Sequence, residues 1–510
     1  MNPVELGIFS SRVEAVCDEM GAVLRRAAFS PNIKERLDFS CAMFDADGQL
    51  CVQAAHIPVH LGSMAYAMQG IVRRFEWRAG DMVIVNDPYL GGTHLPDVTL
   101  IAPLLVGGEL LGFVANRAHH ADIGANAPGS MPLSRSLEEE GLVIAPVKLI
   151  EAGVTNQALF ASFIARLHHG ARAKGDFMAQ ISANRVGVAR LTQLIEELGS
   201  AGFRAGLAEL NDYAERLAWS GLASLPRGRY RFADVLDDDG YARDLVIVCE
   251  IAVGESGIVV DFAGTAPQAA GNVNCPISVA AAGVYYVFRC LMSSQTPGCA
   301  GAFRRIAIQA PEGCLLNARY PAAVAAGNVE TSTRVVDVVM GALAQAIPER
   351  IPAASHGSMN NVAMGARSGD TGWDYYETLG GGMGAGLHGG GLSAVQTHMT
   401  NTLNTPIEAL EMNYPVRVRR YAVRRGSGGE GRQRGGDGLI REFEFLAPAH
   451  VTLLTERRRH APWGLEGGGS GQCGRNTLNG EPLPGKTEFE VHPGDRVRVE
   501  TPGGGGFGAA

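Results

Sequence analysis

The chain has 510 residues, 46% hydrophobic and 19% charged, with a net charge of −8, which is the balance of a folded protein of two to four subdomains and excludes a disordered chain. No basic stripe interleaved with aromatics points to nucleic acid, no run approaches the ~18 apolar residues of a membrane span, and no secretory signal is read at the N-terminus. Nine scattered cysteines without a CxxC pair fit reduced thiols in the cytoplasm, not a disulfide frame or a Cys-type zinc site.

In chain order, residues 3 to about 28 read as a helix, with Asn2 as cap, Pro3 in the first turn and Glu5 completing a capping box. Ser40–Phe44 and Leu50–Val52 flank Asp45-Ala46-Asp47-Gly48 as a β-hairpin, and Met82–Val85 is a short apolar strand. Val98–Val106 and Leu110–Ala115 flank Gly107-Gly108 as a second hairpin. Residues 155 to 220 are mainly helical, and the turn Pro226-Arg227-Gly228 ends them. Strands return at Tyr230–Phe232, Leu245–Ile251, Ile258–Phe262 and Phe303–Ile308, interrupted by a helix near Val279–Met292. Residues 334 to 346 form another helix, and from about 412 the chain is strand and turn to a Gly-rich end. Helices and strands cluster rather than alternate, so the fold class is α+β with mixed and antiparallel sheets. The expected division is 1–225 carrying the site, a central region 226–350, and a Gly-rich, mainly β region 351–510.

The chemistry concentrates between residues 86 and 124, which hold His94, Asp97, His119, His120 and Asp122. If Gly107-Gly108 is a two-residue turn, facing residues sum to about 215, which places Asp97 opposite position 118 and His119 opposite position 96. His94, Asp97 and His119 then gather at the open end of one hairpin. Two imidazoles and a carboxylate suit a divalent ion with an open position, where bound water ionises near neutral pH. His119 and His120 are neighbours on an extended chain and face opposite ways, so one is a ligand and the other contacts substrate or a ligand. A lone His or Asp at a strand end is more often a hydrogen-bonded structural residue. Asp87, in Asn-Asp-Pro, has that reading as a turn former, and Asp38 alone carries little signal. His56 and His60 stand four apart, but the intervening Pro58 argues against a helical ligand pair. His168 and His169 read as surface or packing residues. The glycines at 380 to 391 can cradle an anion or simply turn tightly, and Asp261–Thr265 is a weak phosphate-loop candidate. No GxxxxGK[ST] or GxSxG motif is present.

Several segments together resemble the hydantoinase B/oxoprolinase family. They are ERLDFS at 35–40, HIPVHLGSM at 56–64, NDPYLGGTHLPD at 86–97, AHHADIG at 118–124, EGLVIAPVKL at 140–149, GNVETSTRVVD at 327–337, HMTNTLNTPIEALE at 398–411 and PGGGGFG at 502–508. The resemblance covers nearly the whole chain. It implies one divalent ion, zinc or manganese, on Asp38, His94, Asp97 and His119, with Asp38 entering only through the resemblance; His120 and Asp122 are expected in catalytic, orienting roles. It also implies a separate A-type partner that uses ATP to phosphorylate a hydantoin, 5-oxoproline or other lactam, after which metal-bound water in this chain opens the ring. The alternatives are a subunit of an acetone or acetophenone carboxylase and a non-catalytic scaffold of the same fold.

Overall fold

The structure is a computed structural model describing residues 1–54, 57–367 and 372–510. Helix α1 (Pro3–Ala27) starts as its sequence dictates. Asn2 accepts from the N–H groups of Val4 and Glu5, and the Glu5 carboxylate accepts from the Asn2 N–H. The chain continues through α2 (Pro31–Lys34), β1 (Phe39–Asp45), β2 (Leu50–Ala54), α3 (Pro58–Val72), β3 (Met82–Val85), β4 (Asp97–Val106), β5 (Glu109–His119), β6 (Val147–Glu151) and β7 (Val154–Thr155). These seven strands form one sheet in the order β2-β1-β5-β4-β3-β6-β7. The chain then runs into α4 (Gln157–Ile164), α5 (Gly170–Leu198) and α6 (Ser200–Leu222).

Alternation along the strands sorts side chains to two faces. Met43, Val98, Leu100, Val114 and Ala118 pack with apolar residues of α1 and α5. Ala42, Phe44, Ile101, Phe113 and Ala115 pack with Met64, Met68 and Ile71 of α3. The sheet is therefore covered on both sides, which explains the nearly unbroken burial of β4 and β5. Helix α3 corrects the reading of Pro58. The proline occupies the first helical turn, where its missing N–H costs nothing, and the helix runs on through His60.

A second sheet, β11-β10-β9-β8, is built from β8 (Gly228–Asp238), β9 (Arg243–Val253), β10 (Ile258–Asp261) and β11 (Ile306–Gln309). Its core contains α7 (Ile277–Leu291) and α8 (Ser332–Leu343), and α8 is preceded by a π-helical turn, Gly327–Thr331. The last part holds β12 (Asn361–Ala366), β13 (Trp373–Glu377), α9 (Ile407–Asn413), β14 (Val416–Arg424), β15 (Gly438–Phe445), β16 (Ala449–Leu454), β17 (Arg475–Leu478), β18 (Glu481–Leu483), β19 (Lys486–Val491) and β20 (Arg496–Glu500). They form sheets ordered β13-β12-β16-β19 and β14-β15-β20-β17-β18. The whole is α+β. All nine cysteines are free thiols, and among the described residues no helix is long and apolar enough to cross a membrane.

Within the glycine run at 380–391 the chain turns tightly at Gly386–Gly389, whose backbones bond each other, and much of the rest of the run is bonded to neighbouring segments: Gly382 donates to Pro502, Ala385 to Gly505, Gly391 to Arg434 and Gly384 to the Ser355 hydroxyl. Neighbouring segments lie so close that a Cβ on Gly384 or Gly504 would overlap a backbone carbonyl.

Candidate metal centre

The alternation that covers the sheet also assembles the site. Asp38, Ser40, Asp97, Thr99, Arg117 and His119 belong to the α3 face of the sheet. The β4–β5 register pairs Asp97 with His119, one residue from the expected pairing. Close to the turn the facing pairs are Val106 with Glu109 and Leu105 with Leu110, as Gly107-Gly108 requires. An irregularity between Leu104 and Leu105 adds one residue and brings Asp97 and His119 directly opposite. On the other side of β5, the His119 N–H donates to the Asp38 carbonyl. His119 is thus flanked by both aspartates across adjacent strands.

The tight group is His94, Asp97 and His119, whose ligand atoms all lie within 4.8 Å of one another. His94 Nε2 is 3.3 Å and His119 Nδ1 is 3.5 Å from Asp97 Oδ1. Two atoms bound to one ion at about 2.0–2.1 Å in a tetrahedral arrangement are about 3.3 Å apart, so the spacing fits a shared ion. The donor chemistry fits as well. The His94 Nδ1–H donates to the Ala325 carbonyl at 3.2 Å, which leaves Nε2 as a bare lone pair, buried and without a hydrogen-bond partner. Asp97 Oδ2 accepts from the Thr93 hydroxyl and from Asn328 Nδ2 at 3.5 Å, leaving Oδ1 to face the imidazoles. Asp38 stands beside this group, with Oδ2 4.0 Å from His119 Nδ1 and 3.9 Å from the Arg36 guanidinium.

Burial would raise the Asp97 carboxyl, but His94, His60 and a hydrogen bond from His119 outweigh it and hold it well below the usual range. Burial pulls His94 down, yet the Asp97 charge leaves its net shift upward. For His119, burial prevails and the shift is downward. Burial also pushes Glu140 and Glu330 up, each to about 7.

His60, which the sequence does not single out as a ligand, also borders the candidate site. Its Nε2 is 3.4 Å from Asp97 Oδ2 and its Nδ1 is 3.0 Å from the Ser40 hydroxyl. The signal was available, because a proline one or two residues into a helix is a start marker rather than a breaker. His56 lies outside the described residues. Residues from the far half of the chain also build the site: Ala325, Asn328, and Tyr376, whose ring lies parallel to His119 at 4.9 Å and 5°.

The structure does not bring His120 and Asp122 into this group. His120 faces α5, where its Nε2–H donates to Gln180 Oε1 at 2.9 Å and its ring packs against Phe177. Asp122 accepts from the N–H groups of Gly124 and His169, closing a turn. Asp87 accepts from the Tyr89 N–H in the same manner. His168 is a surface residue whose Nε2 reaches the Ala125 carbonyl, and His169 is half-buried, 3.1 Å from Asp374. The turn at Asp261–Thr265 spends its N–H groups internally: Ala263 donates to the Asp261 carboxylate and Thr265 to Phe262.

A buried His–Asp–His group at the adjoining ends of β4 and β5, in a helix-covered sheet, has the form of a divalent-metal centre in an α+β protein. The chain belongs to the hydantoinase B/oxoprolinase family, whose sequence profile matches residues 2–510. It is 40% identical over 520 residues to an uncharacterized protein of Methanocaldococcus jannaschii, covering 100% of this chain and 91% of that one. It is 38% identical over 539 residues to 5-oxoprolinase 1 of Arabidopsis thaliana, covering 99% of this chain but 42% of that longer protein. Among solved structures, the ATP-dependent caprolactamase from Pseudomonas jessenii is similar with a TM-score of 0.94 at 28% identity, covering 100% of this chain and 91% of that one.

Proposed function

We propose that this chain is the metal-carrying B-type component of an ATP-dependent cyclic amidase, acting in the cytoplasm beside an A-type partner that uses ATP. The observation that carries the reading is the convergence of His94, Asp97 and His119 with an unpartnered, buried His94 Nε2. In this reading those three residues, with Asp38 as a fourth, hold one zinc or manganese ion. Mixed nitrogen and oxygen donors suit either. When bound, such an ion supplies Lewis acidity that activates water near neutral pH.

The chain's own residues supply the rest. Thr93 and Asn328 hold Asp97 Oδ2, so that Oδ1 points inward. Ala325 fixes the His94 tautomer. His120 and Asp122 take no part in holding the ion: His120 bonds Gln180 behind the strand end that carries His119, and Asp122 closes the turn that follows. The closed surroundings keep bulk water from a reactive intermediate. The partner phosphorylates the amide oxygen of a hydantoin, 5-oxoproline or another lactam. That creates an imidate-like carbon to which water adds in this chain; the ring C–N bond then breaks, the nitrogen leaving as the protonated amine, and a second water releases phosphate from the resulting acyl phosphate. Two comparisons support the division of labour. The caprolactamase of similar structure is ATP-dependent, and the counterpart of this chain makes up 42% of 5-oxoprolinase 1, leaving the remainder of that protein for a second component.

The test is co-expression with an A-type subunit, followed by screening hydantoins, 5-oxoproline and simple lactams for substrate-dependent ADP release. Ring opening that requires both chains and ATP is expected. ATP-independent ring opening by this chain alone would refute the reading, and ADP release only with a ketone and bicarbonate would mark a carboxylase instead.

A further inference from the structure

One short stretch, residues 324–331, reaches all three members of the tight group. Ala325 holds His94 and Asn328 touches Asp97, as described. The contact to His119 is indirect and runs through Glu330. This side chain is fully buried on the π-helical turn, and its Oε1 accepts from the Met359 N–H at 3.0 Å and from Asn361 Nδ2 at 2.7 Å. Asn361 Nδ2 also donates to the Leu454 carbonyl, so both of its N–H groups are committed. Its Oδ1 is therefore turned to the Tyr376 hydroxyl, which donates to it at 2.6 Å. The Tyr376 ring lies face to face with the His119 imidazole.

We propose that Glu330 is a positioning residue of the metal centre: through Asn361 and Tyr376 it sets the plane of the His119 ring. The physical reason is directional. An imidazole nitrogen offers its lone pair in the ring plane, so a ligand ring tolerates only about 10–20° of misorientation. Tyr376 is a flat wall against that tilt, and the wall is fixed only while its hydroxyl has an acceptor. The acceptor exists because Glu330 and the Leu454 carbonyl together hold the Asn361 amide the right way round. Without the Glu330 oxygen one of those two contacts is lost, and the hold of Asn361 on the Tyr376 hydroxyl loosens. π-Turns inside helices recur at functional sites, and this one carries both Asn328 and Glu330.

The inference rests on the proposed metal centre, and the experiment separates the two. The full-length chain and its Glu330→Gln, Glu330→Leu and Tyr376→Phe variants are stripped and titrated with Co²⁺, recording the visible spectrum. Zn²⁺ affinity is measured by chelator competition. Glu330→Leu and Tyr376→Phe are expected to weaken the ion about 10- to 100-fold, as loss of a partner behind a ligand does, and to shift the cobalt bands. Glu330→Gln, which retains the oxygen, is expected to restore both. Tyr376→Phe keeps the packed ring, so it decides the matter even if Glu330→Leu fails to fold. Wild-type affinity and spectrum in Tyr376→Phe would overturn the inference and leave the metal centre standing, as would a Glu330→Gln variant as impaired as Glu330→Leu. Absence of binding by the wild type would remove both. A general loss of stability would leave the cobalt bands unmoved.

Discussion

Asp97 stands directly across the β4–β5 ladder from His119, and its Oδ1 lies 3.5 Å from the His119 Nδ1. The next facing pair on the same face is Thr99 with Arg117, and the pairs nearer the turn are mostly apolar and buried. A carboxylate with no counter-charge is costly in such surroundings. Here three imidazoles, His60, His94 and His119, lie within 3.5 Å of its two oxygens.

The purified chain is expected to carry close to one divalent ion. Asp97→Asn is expected to lose most of it, because the amide presents a neutral oxygen in place of the charged Oδ1. Elemental analysis checks this. A metal-free wild type that is fully active with its partner would exclude the assignment.

The local part of this site was legible in the sequence, and the non-local part was not. The Gly107-Gly108 turn and the two flanking apolar runs were enough to bring His94, Asp97 and His119 to one hairpin mouth. The register is one residue off because the hairpin was counted without the irregularity at Leu104/Leu105, although Gly112, which faces Leu104 inside β5, is the kind of residue that marks one. Asp38 enters through family resemblance, since β1, which it precedes, pairs both with its sequence neighbour β2 and with the distant β5, and only the second pairing brings Asp38 to the site. His60 was lost by reading Pro58 as a breaker. Ala325, Asn328 and Tyr376 meet the hairpin across more than two hundred residues, and no periodicity or spacing reports a contact of that kind. The glycine-rich end shows the same limit. Its composition announces close backbone approach but not which segments approach.

His120→Ala is expected to keep the ion while weakening the fold. The His120 Nε2–H satisfies Gln180 Oε1, whose amide in turn donates to the Val98 carbonyl. Removing the imidazole leaves a buried acceptor without a donor, costing about 1–3 kcal/mol. Chemical denaturation and metal analysis of the same sample check the two halves separately. An emptied metal site would show that His120, not His119, is the ligand.

Gly504→Ala is expected to destabilise by about 3 kcal/mol or more. The added methyl would overlap the Met383 carbonyl and crowd the Gly384 N–H, both backbone atoms that no rotamer change can move aside. Gly480→Ala is a useful control, because it lies in a turn with open space around it and only its left-handed conformation, φ +93°, resists the substitution. Urea denaturation of both variants checks the contrast. Equal losses would show that packing among the glycine segments is not what excludes a side chain at 504.

Glu140→Gln is expected to make stability less dependent on pH. Glu140 is fully buried; its Oε1 accepts from the Ser134 hydroxyl and from the N–H groups of Val324 and Ala325, while its Oε2 has no partner. Burial raises its pKa from 4.5 to about 7, against the hydrogen bonds that favour the charged form. A carboxyl raised on folding binds its proton more tightly in the native state. Its contribution is therefore fully present below about 4.5 and is lost as pH rises through about 7. The raised value corresponds to about 3 kcal/mol over that window. Glutamine retains the oxygen that holds Val324 and Ala325, and hence the carbonyl that orients His94, but it cannot ionise. In metal-free protein, the stability of Glu140→Gln relative to wild type should rise by about that amount between pH 4.5 and pH 7.5, read as the difference between two series of urea denaturation curves. A difference that stays constant across the window would show that Glu140 is already ionised in the native fold at low pH.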